Sequence, residues 1–264
     1  MHLNILFVGD IYGRPGRKAA ADLIPRLRES HRVDFCIANG ENAAGGFGIT
    51  ENIAKKLFAY GADVITTGNH VWDRKDDIPY IFGADRVLRP ANFPERVGGA
   101  GCGIFNASNG VPIGVVCMQG RVNMLDLDCP FSVGSDIVDR LRQRTPVIVV
   151  DFHAEASSEK IAYGWFMDGR ASAVIGTHTH VQTADERILP GGTAYVSDAG
   201  MTGPHDSVIG ARKEAVIQRF LDRMPVRFEP AEDDIKLCGV VVEVEDESGK
   251  ATRIERLRVD WQEP

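Results

Sequence analysis

Five short apolar runs, each closing on polar residues able to hold a metal ion, constrain this chain more than any other feature. Residues 3–8 run into Gly9-Asp10, residues 33–38 lead to Gly40-Glu41-Asn42, and residues 63–67 meet Gly68-Asn69-His70. Residues 147–150 run into Asp151-Phe152-His153, and residues 173–175 into Gly176-Thr177-His178-Thr179-His180. Runs of this length suit strands buried on both faces, the usual state of a parallel sheet covered by helices. Segments with helical spacing lie between them, so the fold class is α/β. In an open α/β sheet, ligands bind in the crevice beyond the carboxyl ends of the strands. Residues far apart in sequence are therefore expected to meet along one edge.

The spacing predicts helices over residues 50–60, 135–144 and 158–167. Segment 13–30 places Leu23, Ile24 and Leu27 at helical spacing, with Pro25 among them predicting a kink or a late start. Further strands are expected at 102–106, 112–118 and 193–197. The tail reads as an antiparallel hairpin, 236–246 and 250–260, turning at Glu247-Ser248-Gly249. The later strands are expected to form a second, mixed sheet. No repeat, low-complexity segment or linker interrupts the chain, so residues 1–264 read as a single domain.

Charge narrows the function. The formal net charge is −7 with no basic stripe, which disfavours a grip on long duplex nucleic acid. A small anionic substrate still fits, because bound metal ions invert the local field of an acidic protein. A chain of 264 residues buries a core without staples, so metal ions here would serve chemistry. Cys36, Cys102, Cys117, Cys129 and Cys238 are odd in number, scattered and without a CxxC pair, and read as reduced thiols. The opening MHLNILFVGD does not read as a signal peptide, and no apolar stretch is long enough to span a membrane. The cytoplasm is the expected compartment, and a homo-oligomer stays open.

Singly, the strand-end residues have structural explanations. Asp10 would suit an N-cap, Asn69 a turn, Glu41 and Asn42 a loop, and His153 a hydrogen-bonded core position. His178-x-His180 is harder to explain that way, and the coincidence of all five at strand ends favours a shared site. Carboxylates, amide oxygens and imidazoles suit iron, manganese or zinc. Two ions roughly 3.5–4 Å apart serve in-line displacement at phosphorus, and Glu41 is placed to bridge such a pair. His70 follows Asn69 too closely to share its ion, so its expected role is general acid, with Asp73 as a candidate to orient it. GDIYGRPG lacks the GxGxxG spacing of a dinucleotide site. Arg14, Arg121, Lys160 and Arg212 are candidates for phosphate contact.

The blocks GDIYG, GENAA, GNHVWD, DFHAE and GTHTH stand in the order found in the calcineurin-like metallophosphoesterases, which the chain resembles. Tyr12 in place of the first block's histidine, Glu41 in place of an aspartate, DFHAEASSEK and the stretch from GTHTH to DSVIG look like the YmdB-like bacterial phosphodiesterases. The resemblance implies a four-layer α/β/β/α sandwich of two mixed sheets flanked by helices. It implies one ion on Asp10, Glu41, Asn42 and His180 and a second on Glu41, Asn69, His153 and His178, with iron favoured and manganese or zinc alternatives. Tyr12 is a competing candidate ligand. The implied substrate is a small phosphodiester, a 2′,3′-cyclic nucleotide opened to the 3′-nucleotide. A metal-bridging hydroxide is the expected nucleophile and His70 the general acid. The alternatives are a phosphomonoesterase or nuclease with the same ions, or a regulatory nucleotide-binding protein with slow turnover. How residues 203–208, with His205, shape the pocket is open.

Overall fold

Apolar runs become strands wherever they alternate with amphipathic segments, and the computed structural model describes residues 2–263. In chain order the elements are β1 (His2–Val8), β2 (Asp10–Ile11), α1 (Gly13–Ser30), β3 (Phe35–Asn39), α2 (Glu51–Ala59), β4 (Val64–Thr66), α3 (Ile78–Gly83) and β5 (Val87–Leu88). There follow β6 (Cys102–Asn106), β7 (Pro112–Gln119), α4 (Pro130–Arg142), β8 (Ile148–His153), α5 (Ser157–Met167), β9 (Ala173–Thr177), β10 (Arg187–Ile188) and β11 (Ala194–Val196). The chain closes with β12 (Met201–Pro204), α6 (Lys213–Asp222), β13 (Ile235–Glu245) and β14 (Ala251–Asp260).

One sheet runs β2-β12-β13-β1-β3-β4-β5, with β14 paired to β13, and the other runs β10-β11-β9-β8-β7-β6. Alternation along the strands builds the layers. Leu6, Val8, Cys36, Ala38 and Ile65 face Ala20, Leu23, Ile24, Leu27 and Leu57 of α1 and α2. The opposite faces, Ile5, Phe7, Phe35 and Ile37 in one sheet and Val115, Val149, Ala173 and Ile175 in the other, pack together. Val116, Ile148, Val150 and Phe152 then meet Ile137, Leu141, Tyr163 and Met167 of α4 and α5. The result is the expected four-layer α/β/β/α sandwich.

Several sequence expectations are corrected. α1 starts at Gly13, so Pro25 does not delay it; Pro25 is exposed, where a carbonyl deprived of its partner meets water. α4 begins at Pro130 rather than near 135, with proline in the first turn, where its missing N–H costs nothing. Gly134 inside it looks like a breaker but permits close packing, since a Cβ there would lie 2.2 Å from the Tyr163 hydroxyl. The tail hairpin joins the first sheet, with Val242 opposite Ile5, instead of completing a later second sheet. α6 was not foreseen because only Val216 of its residues is buried. Among the described residues, no helix is long and apolar enough to cross a membrane.

Candidate active site

Parallel pairing aligns the carboxyl ends of β1, β3 and β4, and those of β8 and β9. Asp10 opens β2, Glu41 and Asn42 follow β3, Asn69 and His70 follow β4, His153 closes β8, and His178 and His180 follow β9. Glu41, His153 and His178 present ligand atoms within 4.8 Å of one another, a group able to hold a metal ion. His153 Nε2 lies 3.0 Å from Asn69 Oδ1, 3.0 Å from Glu41 Oε1 and 3.1 Å from His178 Nδ1. In an adjoining group, His180 Nε2 lies 3.3 Å from Asn42 Oδ1 and 4.0 Å from Asp10 Oδ1. The His178 backbone N–H donates to Asp10 Oδ2 at 3.2 Å and links the two groups. The structure thus gathers every strand-end residue singled out from the sequence.

The loop after β9 holds both of its histidines in left-handed backbone, with φ of 98° at His178 and 65° at His180. Such conformations cost about 1–3 kcal/mol each and need support from their surroundings. Asp198 supplies it: its Oδ2 accepts from the Thr179 N–H at 3.0 Å, the Thr179 hydroxyl at 2.7 Å and Lys160 Nζ at 2.7 Å. Gly68 is required by close approach, because a Cβ there would stand 2.2 Å from His153 Cδ2 and 2.4 Å from Glu41 Oε2.

The same fold recurs in known proteins. Residues 6–257 match the profile of the family described as YmdB-like protein. The chain belongs to the YmdB-like family. It is 49% identical over 258 residues to a Bacillus subtilis protein named 2′,3′-cyclic-nucleotide 2′-phosphodiesterase, covering 98% of this chain and 97% of that one. A solved structure described as a novel phosphatase from Mycoplasma pneumoniae superposes with a TM-score of 0.92 at 32% identity, covering 98% of this chain and 94% of its own. A hypothetical protein from Thermus thermophilus gives a TM-score of 0.88 at 37% identity, covering 98% and 99% of the two chains.

In this YmdB-like chain a further set of residues aims the strand-end groups. The Thr177 hydroxyl donates to Asp151 Oδ1 at 2.7 Å and lies 2.9 Å from His153 Nδ1. Its one proton is spent on Asp151, so Thr177 accepts from His153 Nδ1–H, and Nε2 faces the centre. Asn39 and Thr66 also donate to Asp151. His178 Nε2 lies 3.1 Å from Glu155 Oε2, and His180 Nδ1 lies 2.9 Å from the Ile209 carbonyl oxygen. Asn42 Nδ2 donates to the Gly46 carbonyl at 3.0 Å, which turns its oxygen inward. Sequence reasoning missed these supports. Only Asp151 left a signal, as an acid inside the apolar run IVVDFH.

Burial and crowding shift the titrations. Burial raises the pKa of Asp10, and raises that of Asp151 to about 6. At Glu41 burial is outweighed by the His153 charge beside it, which brings the carboxyl down to about 2. At His153 burial is likewise outweighed, by Glu41, Asp10 and Asp151, and its pKa rises to about 9. His178 falls to about 3 through burial and the neighbouring His153 charge. Burial also raises the pKa of the Tyr12 hydroxyl, whose ring stands edge-on to His180 at 5.6 Å between ring centroids.

A cavity of about 670 Å³ opens over this centre, bounded by Glu41, Asn42, His178 and His180 with His70 and Tyr12 at its walls. His70 Nδ1 lies 2.8 Å from Asp73 Oδ2, and its backbone N–H donates to Glu41 Oε2 at 3.2 Å. Of the expected phosphate-contact residues, Arg14, Arg121, Lys160 and Arg212 lie outside the cavity, whereas Arg219 and Arg223, unmarked by sequence pattern, line it. Lys160 instead pairs with buried Asp198, and Arg212 with Glu229. His205 faces a separate cavity of about 190 Å³, where its Nε2 lies 3.1 Å from the Met201 carbonyl oxygen.

Proposed function

We propose that this chain is a dinuclear metal-dependent phosphodiesterase that opens 2′,3′-cyclic nucleotides to 3′-nucleotides. The observation that carries the reading is the gathering of Asp10, Glu41, Asn42, Asn69, His153, His178 and His180 under one cavity, with His70 at its wall. The donor set fits metal ions on its own chemistry. Asp10 Oδ1 is a buried acceptor without a hydrogen-bond donor, and Glu41 Oε1 is buried with the His153 ring as its neighbour. With Nδ1–H of His153 committed to Thr177, a neutral ring would present its Nε2 lone pair to the Glu41 lone pairs, an arrangement that either a proton on Nε2 or a metal cation between the two relieves. Nitrogen and oxygen donors without thiolate suit iron, manganese or zinc, with iron favoured by the family resemblance. Asp10, Glu41, Asn42 and His180 would hold one ion, and Glu41, Asn69, His153 and His178 the other. Bound there, two ions supply Lewis acidity and acidify water at neutral pH.

The chain's own residues supply the rest. The left-handed loop at His178 and His180, held by Asp198, fixes the direction of both rings before a phosphodiester binds. His70, with Nδ1 engaged by Asp73, keeps Nε2 for the departing oxygen and delivers a proton to it. A sugar alkoxide leaves poorly without that proton. The 49% identity to a protein named for this activity supports the substrate. The test is metal content by elemental analysis together with turnover of adenosine 2′,3′-cyclic phosphate, for wild type and Glu41→Gln. Two transition-metal ions per wild-type chain and a loss of about 10³-fold or more in the variant are expected. Wild type that turns over only phosphomonoesters would replace this reading with a phosphatase.

A further inference from the structure

The cavity over the strand ends is lopsided. Its floor is polar, but its outer wall is Phe47, Phe228 and the stripe of Val216, Arg219, Phe220 and Arg223. Positions 216, 219, 220 and 223 follow i, i+3, i+4 and i+7 spacing, so a single face of α6 and its C-cap turns toward the cavity. Phe220 is 68% exposed there, a large aromatic kept in water beside a polar centre. The Arg219 guanidinium sits 5.3 Å from the Phe228 ring centroid, and Phe47 meets His70 edge-on at 5.0 Å. Aromatic surface therefore begins next to the general-acid candidate and continues across the opening.

A bare phosphate has no use for such a wall, since charge and N–H donors suffice to bind it. Flat rings interleaved with guanidinium groups are the chemistry that stacks nucleobases, and it tolerates any base because each has a π face. Arg219 and Arg223 also place positive charge at the mouth of a chain whose net charge is −7. We propose that Phe220, Phe228 and Arg219 form a nucleobase subsite, which gives this centre its preference for nucleotides over smaller phosphodiesters. The proposal rests on the phosphodiesterase reading above and names the part of the substrate that the ions do not hold.

The test compares adenosine 2′,3′-cyclic phosphate with the base-free methyl riboside 2′,3′-cyclic phosphate, using metal-loaded protein. Wild type should favour the nucleotide by about tenfold or more in kcat/KM, through KM. Phe220→Ala should erase about tenfold of that preference, again through KM. Leu221→Ala, on the neighbouring exposed face, should keep it. Equal turnover of both compounds by wild type, or an unchanged ratio in Phe220→Ala, overturns the subsite while leaving the phosphodiesterase reading intact. So does a fall in sedimenting mass in Phe220→Ala with the ratio kept, which would assign the wall to contact between copies of the chain. Turnover of neither compound by wild type sinks the phosphodiesterase reading and the subsite with it.

Discussion

At His70 the two ring nitrogens face different tasks, one bound to Asp73 and the other free for a substrate. If Nε2 protonates the leaving oxygen, its value depends on how poor the leaving group is. His70→Ala should lower kcat on a 2′,3′-cyclic nucleotide by about 10²–10³-fold. With a bis-aryl phosphate, whose phenolate leaves readily, the loss should be about tenfold or less. Equal losses on both substrates would assign His70 to binding instead. Asp73→Asn keeps the contact but weakens the hold on a protonated ring, so a loss of about tenfold on the cyclic nucleotide alone is expected. Gly68 acts by lacking a side chain. Its replacement by alanine drives a methyl group into His153 and Glu41, and metal retention after gel filtration should fall below two ions per chain.

At the scale of elements, the loop after β9 is held against its own backbone preference by a buried ion pair between Lys160 of α5 and Asp198, which follows β11. Lys160 and Asp198 are both nearly inaccessible, and Asp198 carries Thr179 between the two strained histidines. Removing one partner of a buried pair leaves an uncompensated charge, at a cost of about 3–5 kcal/mol. Lys160→Met should therefore lower unfolding free energy in urea by roughly that amount. The double variant Lys160→Met with Asp198→Asn should recover part of the loss, because the stranded charge is gone. Additive losses in the cycle would mean that the two side chains act independently.

Across the whole molecule, the site draws on both sheets. Asp10, Glu41, Asn42 and Asn69 come from the first, while His153, His178 and His180 come from the second. Ions held there, as proposed, would tie the sheets together as well as serve chemistry. Ligands that bind only the folded state stabilise it by mass action, so stripping the ions with a chelator should lower Tm by about 10 °C. Restoring iron or manganese should reverse the shift. A Tm unmoved by chelation in protein shown to carry ions would count against a role in joining the sheets.

The amino-acid sequence by itself determined where the candidate site lies along the chain. Each apolar run had to be buried as a strand, and the polar residues closing it had to emerge at the strand's end, so Asp10, Glu41, Asn42, Asn69, His153, His178 and His180 were legible one after another. Sequence reading alone missed what depends on contacts between distant segments. β13, buried on both faces through its centre, lies antiparallel beside β1, a pairing across more than half the chain. Asp198 and Thr177 are ordinary in sequence and gain their meaning only from what they touch. The aromatic wall of α6 left no signal, since exposed phenylalanines and arginines look alike wherever they occur. Burial periodicity is a local property that sequence carries directly, whereas the walls of a cavity are set by which surfaces the tertiary fold brings face to face.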